Sequence, residues 1–230
     1  MNRYVTFEPG EFYHIFNRGV NKEKIFYSEG DWTYFQRLLY LRNDSTGYVR
    51  PERVKNMSLK DISITEPLVD IQAYALMPNH FHFLVSERRK GGISLYMKRL
   101  LTSYSMYMNK KYDRSGPLMC RPFRSRHVPD NDYLRWLISY IHLNPLDLTV
   151  PNWREKGIRD SELAHKYLKN YSFSSYQDYY GEERDEAKII NKDSLHLDGS
   201  VEDFSNLLRT YNLRPDKVAV ETSPFSPGGS

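Results

Sequence analysis

Alternation of apolar and polar positions marks four stretches of this chain as strands. Residues 13–17, Tyr-His-Ile-Phe-Asn, alternate and run into Arg18-Gly19, as a strand entering a turn does. Residues 69–76 read as a second strand. Met77-Pro78-Asn79 follows as a turn, with proline pre-set for the first central position and asparagine tolerant at the second. Residues 80–85 are the returning strand, so a hairpin is expected at the centre of a sheet. Residues 123–128 give a short fourth strand.

Helical spacing fills the intervals. Residues 31–41 put Trp32, Phe35, Leu38 and Leu39 on one face, with Asp31 as the expected N-cap. Residues 93–112 carry apolar side chains at helical spacing over about five turns, with Lys98, Arg99, Lys110 and Lys111 on the polar face and Gly116-Pro117 as the break. A third helix is expected from Asp130, with Tyr133, Leu134, Leu137, Ile138 and Ile141 as its buried stripe and Pro145 as its limit. Residues 43–67 are polar, contain Gly47, Pro51 and Pro67, and read as an excursion or insertion outside the core. The order strand, helix, hairpin, helix, strand, helix predicts an α+β class: a ferredoxin-like βαββαβ antiparallel sheet with helices packed on one face. This domain spans residues 1–180. Beyond 178 the pattern weakens. Residues 181–230 are expected to form a C-terminal extension, partly helical or disordered, with one helix over 201–211.

Charge sharpens this picture. Between Glu87 and Arg126 eleven basic residues face two acids, whereas residues 181–203 hold eight acids against three bases. A basic centre with an acidic tail suits a polyanion binder, although a solvated helix face would look the same. Among 19 tyrosines, Tyr96, Tyr104, Tyr107 and Tyr112 lie near these cations. Such rings could stack unpaired bases or simply pack in the core. No apolar run approaches the ~18 residues of a membrane span, and residues 1–10 lack a signal-peptide core. The expectation is a soluble, cytoplasmic protein without a membrane partner. The single cysteine, Cys120, has no partner for an internal disulfide and no zinc-ligand spacing around it.

Two pieces carry candidate chemistry. His80 and His82 are two apart on a strand, so both imidazoles share one face and could share a divalent cation, while Phe81 and Phe83 turn into the core. His-x-His alone is equally a pair of solvent-facing imidazoles. On the third helix, Tyr140 and Asn144 are i and i+4 and stack one turn apart, about 90° from the buried stripe, a border position that holds a side chain rigid yet open to a cleft. Pro145 makes that stacking approximate. Tyr140 alone is equally a packing tyrosine.

Taken in order, Tyr13-His14-Ile15-Phe16-Asn17-Arg18-Gly19, then Tyr74-Ala75-Leu76-Met77-Pro78-Asn79-His80-Phe81-His82-Phe83-Leu84, then Tyr140-Ile141-His142-Leu143-Asn144-Pro145, with a weaker Phe173-Ser174-Ser175-Tyr176, resemble the IS200/IS605-like single-tyrosine transposases. Within them the sequence is most similar to the branch associated with repetitive extragenic palindromes (REP). The resemblance covers about residues 5–180. It implies HUH endonuclease chemistry on single-stranded and hairpin DNA, with Tyr140 as nucleophile and with His80, His82 and Asn144 holding Mg²⁺ or Mn²⁺. Many relatives use glutamine where Asn144 stands. Arg18, Lys22, Lys98, Arg99, Arg121, Arg124 and Arg126 are the expected DNA-backbone contacts. A homodimer is compatible with the resemblance. Three rival readings remain at this level: a relaxase or replication initiator with the same chemistry, a structured-nucleic-acid binding module that does not cut, and a small metallohydrolase using bound water.

Overall fold

The computed structural model describes residues 6–47, 49–195 and 204–213. Four strands form one antiparallel sheet: β1 (Phe12–Arg18), β2 (Val69–Met77), β3 (His80–Glu87) and β4 (Arg124–His127), in the order β2-β3-β1-β4. Helices α1 (Glu29–Leu41) and α2 (Gly92–Lys111) connect them in the expected βαββαβ order.

The period of two sorts the side chains. Tyr13, Ile15, Tyr74, Leu76, Phe81, Phe83 and Val85 point to one face and join Phe35, Leu38, Leu39, Tyr96, Leu100 and Tyr104 of the two helices in the main core. The other face is not bare, as a one-sided arrangement would leave it. Helix α3 (Asn131–Leu143) lies over its β2–β3 half, packing Leu134, Leu137, Ile138 and Ile141 on Ala73, Ala75 and Leu84. Small residues on β2 let that helix approach closely.

Two further expectations are corrected, and one open alternative is resolved. Asp31 is not the N-cap of α1. That position is Ser28, and Asp31 sits three residues in, accepting from the backbone N–H groups of Tyr27 and Ser28 as the acidic half of a capping box. Residues 43–67 have little regular structure, but Leu59 and Ile62 are buried in the main core and Asn43 is buried against Leu68 and Val69. The segment is held down, partly by Arg99, which donates to the carbonyls of Asp44 and Ser45. Tyr96 and Tyr104 are fully buried, their hydroxyls given to the carbonyls of Leu39 and Ile25, so they are packing residues. Tyr107 and Tyr112 donate to the Asp31 carboxylate.

After α3 the chain continues through a 3-10 turn (Asn144–Leu148), α4 (Trp153–Lys156), α5 (Ser161–Asn170) and α6 (Tyr176–Tyr180). Two acids at the start of the extension pair with the segment before β2: Glu183 with Lys60, and Asp185 with Ser58 and the backbone N–H groups of Leu59 and Lys60. Ile189 and Leu195 are buried. Of the expected helix at 201–211, residues 201–203 lie outside the described residues. Its remainder is α7 (Phe204–Asn212), packed on α3. No helix among the described residues is long and apolar enough to cross a membrane.

Candidate active site

The half-covered sheet face carries the candidate chemistry. Registers align residues in rows across it: Met77, His80 and Arg18; Ala75, His82, Phe16 and Arg124; Ala73, Leu84, His14 and Arg126. Helix α3 covers β2 and β3, and its edge runs beside β1. At that edge stands Tyr140, whose ring lies 5.3 Å from the His82 ring, nearly perpendicular to it, and 6.0 Å from that of His14. His80 and His82 have ring centroids 5.1 Å apart. Asn144 keeps right-handed helical backbone angles (φ −53°, ψ −41°) although proline follows it. The i, i+4 relation with Tyr140 therefore survives. The Asn144 carboxamide lies close enough to His80 and to Tyr140 to influence the ionisation of both. One tyrosine, two histidines and one asparagine thus meet within a single chain, without a helix lent by a second subunit.

Each imidazole is oriented from behind. Asn79 donates through Nδ2 to the Lys22 carbonyl, which turns its Oδ1 toward His80 Nδ1 at 2.7 Å. Nδ1 must then carry the proton, and Nε2 the lone pair. The turn after β1 makes this possible. Asn21 and Lys22 adopt left-handed angles (φ 54° and 62°), and a Cβ at Gly19 would lie 2.1 Å from the Glu23 carbonyl oxygen, so only glycine fits there. His82 Nδ1 lies 2.9 Å from His14 Nε2. With the proton on His82 Nδ1, its Nε2 is likewise the basic nitrogen. Burial disfavours the cationic form of all three rings: His80 is pushed down to about 4, His14 to about 3, and His82 well below its ordinary value.

Neutral imidazoles oriented by hydrogen bonds are the form that binds metals, and an amide oxygen is an acceptable third donor. Asn144 Nδ2 is buried without a hydrogen-bond partner, a donor that suits an acceptor such as a phosphate oxygen, while the carboxamide oxygen is the atom able to ligate a metal. The residues present therefore fit a divalent cation. Among the described residues no cluster of three or more histidine, cysteine or carboxylate side chains is placed to hold a metal.

Two neighbours hold the Tyr140 ring. Trp136 stacks on it at 5.2 Å, and the Arg154 guanidinium lies 5.1 Å over its ring. Arg154 is itself fixed: Nε and Nη2 donate to the two oxygens of Asp147, and Nη1 donates to the Tyr211 hydroxyl of α7. Burial raises the phenol's pKa, while the nearby Arg154 cation and the Asn144 side chain oppose that rise. Sequence reading missed His14, Asn79, Asp147, Arg154 and Tyr211. Tyr13-His14 and Asn79 stood inside the quoted motifs, so their neighbourhood was visible but their roles were not.

The expected DNA contacts divide. Arg124 and Arg126 lie on β4 on the same face as His14 and His82, and Arg18 ends β1 beside His80. Arg121 is exposed just before β4, and Lys22 is exposed beside Asn79. Lys98 and Arg99 are on α2, across the sheet from the histidines, and Arg99 is engaged with Asp44 and Ser45. The structure does not bring these two to the site. His142 points away from it, bonded to the Ser175 hydroxyl.

The family model of IS200-like transposases matches residues 53–143, a span that contains His80, His82 and Tyr140. Comparison with curated proteins gives no match. Among solved structures, a REP-associated tyrosine transposase bound to a REP hairpin superposes with a TM-score of 0.50 at 13% identity, covering 90% of this chain and 96% of that one. Residues 53–143 thus match the IS200-like transposases in sequence, and the chain shares the fold of a REP-associated tyrosine transposase.

Proposed function

We propose that this protein is a metal-dependent endonuclease and strand transferase for single-stranded DNA, acting on palindromic hairpins through a 5′-phosphotyrosine intermediate. The observation that carries the reading is the meeting of the Tyr140 ring with His80, His82 and Asn144 at one edge of α3. A transposase-family segment and a structural neighbour that binds a hairpin support it.

Tyr140 attacks the scissile phosphorus in line. The bond from phosphorus to the 3′ oxygen breaks, and the phenolic proton ends on that oxygen as a free 3′-hydroxyl. The phosphotyrosine conserves the energy of the phosphodiester, so another 3′-hydroxyl can reverse the step and join new ends without ATP. A Mg²⁺ or Mn²⁺ held by His80, His82 and Asn144 would polarise the phosphate and offset charge on its oxygens. Asn79 and His14 orient the two imidazoles, Trp136 and Arg154 fix the phenol ring, and the Arg154 cation favours the phenolate. Arg18, Arg124 and Arg126, in rows beside the histidines, suit the backbone of the strand.

The test uses a labelled hairpin oligonucleotide with Mn²⁺. Tyr140→Phe is expected to abolish cleavage and the covalent adduct while keeping hairpin affinity. His80→Ala should do the same. A Tyr140→Phe protein that still cuts would rule out the tyrosine chemistry and favour a metal-bound water.

A further inference from the structure

Lys98 and Arg99, left on the far side of the sheet from the histidines, belong to a different arrangement. On α2, Leu95, Lys98, Arg99, Thr102 and Ser103 follow the spacing of one helical face. That face, the end of α1 and the turn over residues 44–47 enclose a cavity of about 490 Å³. The volume is within the range of sites that take a small ligand. Arg42, the C-cap of α1, lines the opposite wall. Three cations thus converge on one cavity, and none forms an ion pair with a carboxylate among the described residues.

The two guanidiniums are placed but not satisfied. Arg99 donates through Nη1 to the carbonyls of Asp44 and Ser45, and it lies against Gly47, where a Cβ would come within 3.4 Å of Nη2. Its Nε and Nη2 have no acceptor among the described residues. Arg42 is half-buried. Its Nη1 reaches the Val49 carbonyl only at 3.4 Å, and its Nε is buried without a partner. A buried N–H with no acceptor is costly and calls for a ligand, a water or an ion. Burial chiefly disfavours the Arg42 cation and the nearby Arg99 adds to this, while Tyr34 and Glu52 favour it. Guanidinium N–H groups match the oxygens of a phosphate, and such an anion would relieve the repulsion between the two arginines. Two acids limit its size. Asp44 lines the cavity, its carboxylate accepting from the backbone and hydroxyl of Thr46, and Glu52 lies near Arg42. They would repel an extended nucleic-acid backbone more than a compact dianion. We propose that this cavity binds the phosphate of a small phosphorylated molecule, with Arg42, Lys98 and Arg99 as its cations and Thr102 and Ser103 as neutral hydrogen-bond donors.

Calorimetric titration of the full chain with inorganic pyrophosphate tests this, in metal-free buffer of low ionic strength so that the histidine site holds no cation. One saturable site with a Kd of about 1 mM or tighter is expected. Arg42→Gln removes the unpartnered donor, and Thr102→Glu places a like charge at an exposed position of α2. Each should weaken pyrophosphate binding about tenfold or more. Affinity for a hairpin oligonucleotide, read by fluorescence anisotropy, should stay at the parent's value in both. Urea midpoints show which variants fold, and Thr102→Glu decides the matter if Arg42→Gln does not. The proposal falls if the parent shows no saturable binding up to about 10 mM pyrophosphate, or if a folded variant binds it as the parent does. It also falls if the variants lose hairpin affinity, because the cavity would then hold nucleic acid. None of these results depends on whether Tyr140 cuts DNA.

Discussion

Asn79 shows how one side chain sets the chemistry of another. Its amide is turned by the Lys22 carbonyl, and it fixes the proton on His80 Nδ1. Removing such an orienting partner typically costs 10–100-fold in metal affinity, so Asn79→Ala should weaken Mn²⁺ binding by about that factor in calorimetry while the fold persists. Unchanged affinity would mean that His80 needs no orientation. Arg154 acts on the phenol in the same spirit. A buried cation over an aromatic ring is worth about 0.5–2 kcal/mol, a factor of roughly 2–30 in rate if it is felt in the transition state. Arg154→Ala should slow cleavage by that amount with hairpin affinity intact, and Arg154→Lys should recover part of it. Equal loss in both affinity and rate would assign Arg154 to DNA binding. At this scale period two placed His80 and His82 on one face and period 3.6 placed Tyr140 at the border of its helix's buried stripe, but only the resemblance singled the three out. Arg154 was not legible: it follows α3 by a 3-10 turn whose path no periodicity records. Asn79 and His14 needed the cross-strand register.

The elements were more readable than their ends. Strands β1 to β4 and helices α1 to α3 follow from alternation and helical spacing, since each must bury one face. The cap of α1 was misread because two positions there, Ser28 and Asp31, each have the chemistry of a cap. Asp31 is fully buried and receives Lys111, Tyr107 and Tyr112 in addition to two backbone N–H groups. It ties the start of α1 to the end of α2, and these hydrogen bonds hold its carboxyl well below the usual range against the opposing effect of burial. Asp31→Ala would leave a lysine and two N–H groups without their acceptor, so a loss of about 3 kcal/mol is expected in urea unfolding at neutral pH. Asp31→Asn should lose less. A negligible loss for Asp31→Ala would mean that water replaces the carboxylate. The segment 43–67 was unreadable for a different reason: Leu59 and Ile62 are isolated apolar residues in polar sequence, and only the folded path carries them to the core.

For the whole molecule, the histidines create a dependence on pH that is separable from the carboxylates. His14 and His142 are held near 3, His80 near 4, and His82 well below its ordinary value, in each case chiefly because burial penalises the charged ring. The unfolded chain would protonate all four near pH 6.5. Between about pH 6.5 and 4 the unfolded state therefore binds more protons than the native state. Stability is full above this window and falls as pH is lowered through it, by up to about 1.4 kcal/mol per pH unit for each histidine. Asp31 acts in the same direction but lower down: its stabilising ionisation is lost only as pH falls through and below the ordinary carboxylate range, so it does not act in the upper part of the window. Urea midpoints measured from pH 7.5 to 5 should thus decline steadily. His142→Gln is expected to flatten that decline, even if it lowers stability at pH 7.5, because one proton-binding difference is gone. A midpoint that stays level across the window would mean that the buried rings gain protons in the native state, and with that the neutral donors on which metal binding at His80 and His82 relies would be lost.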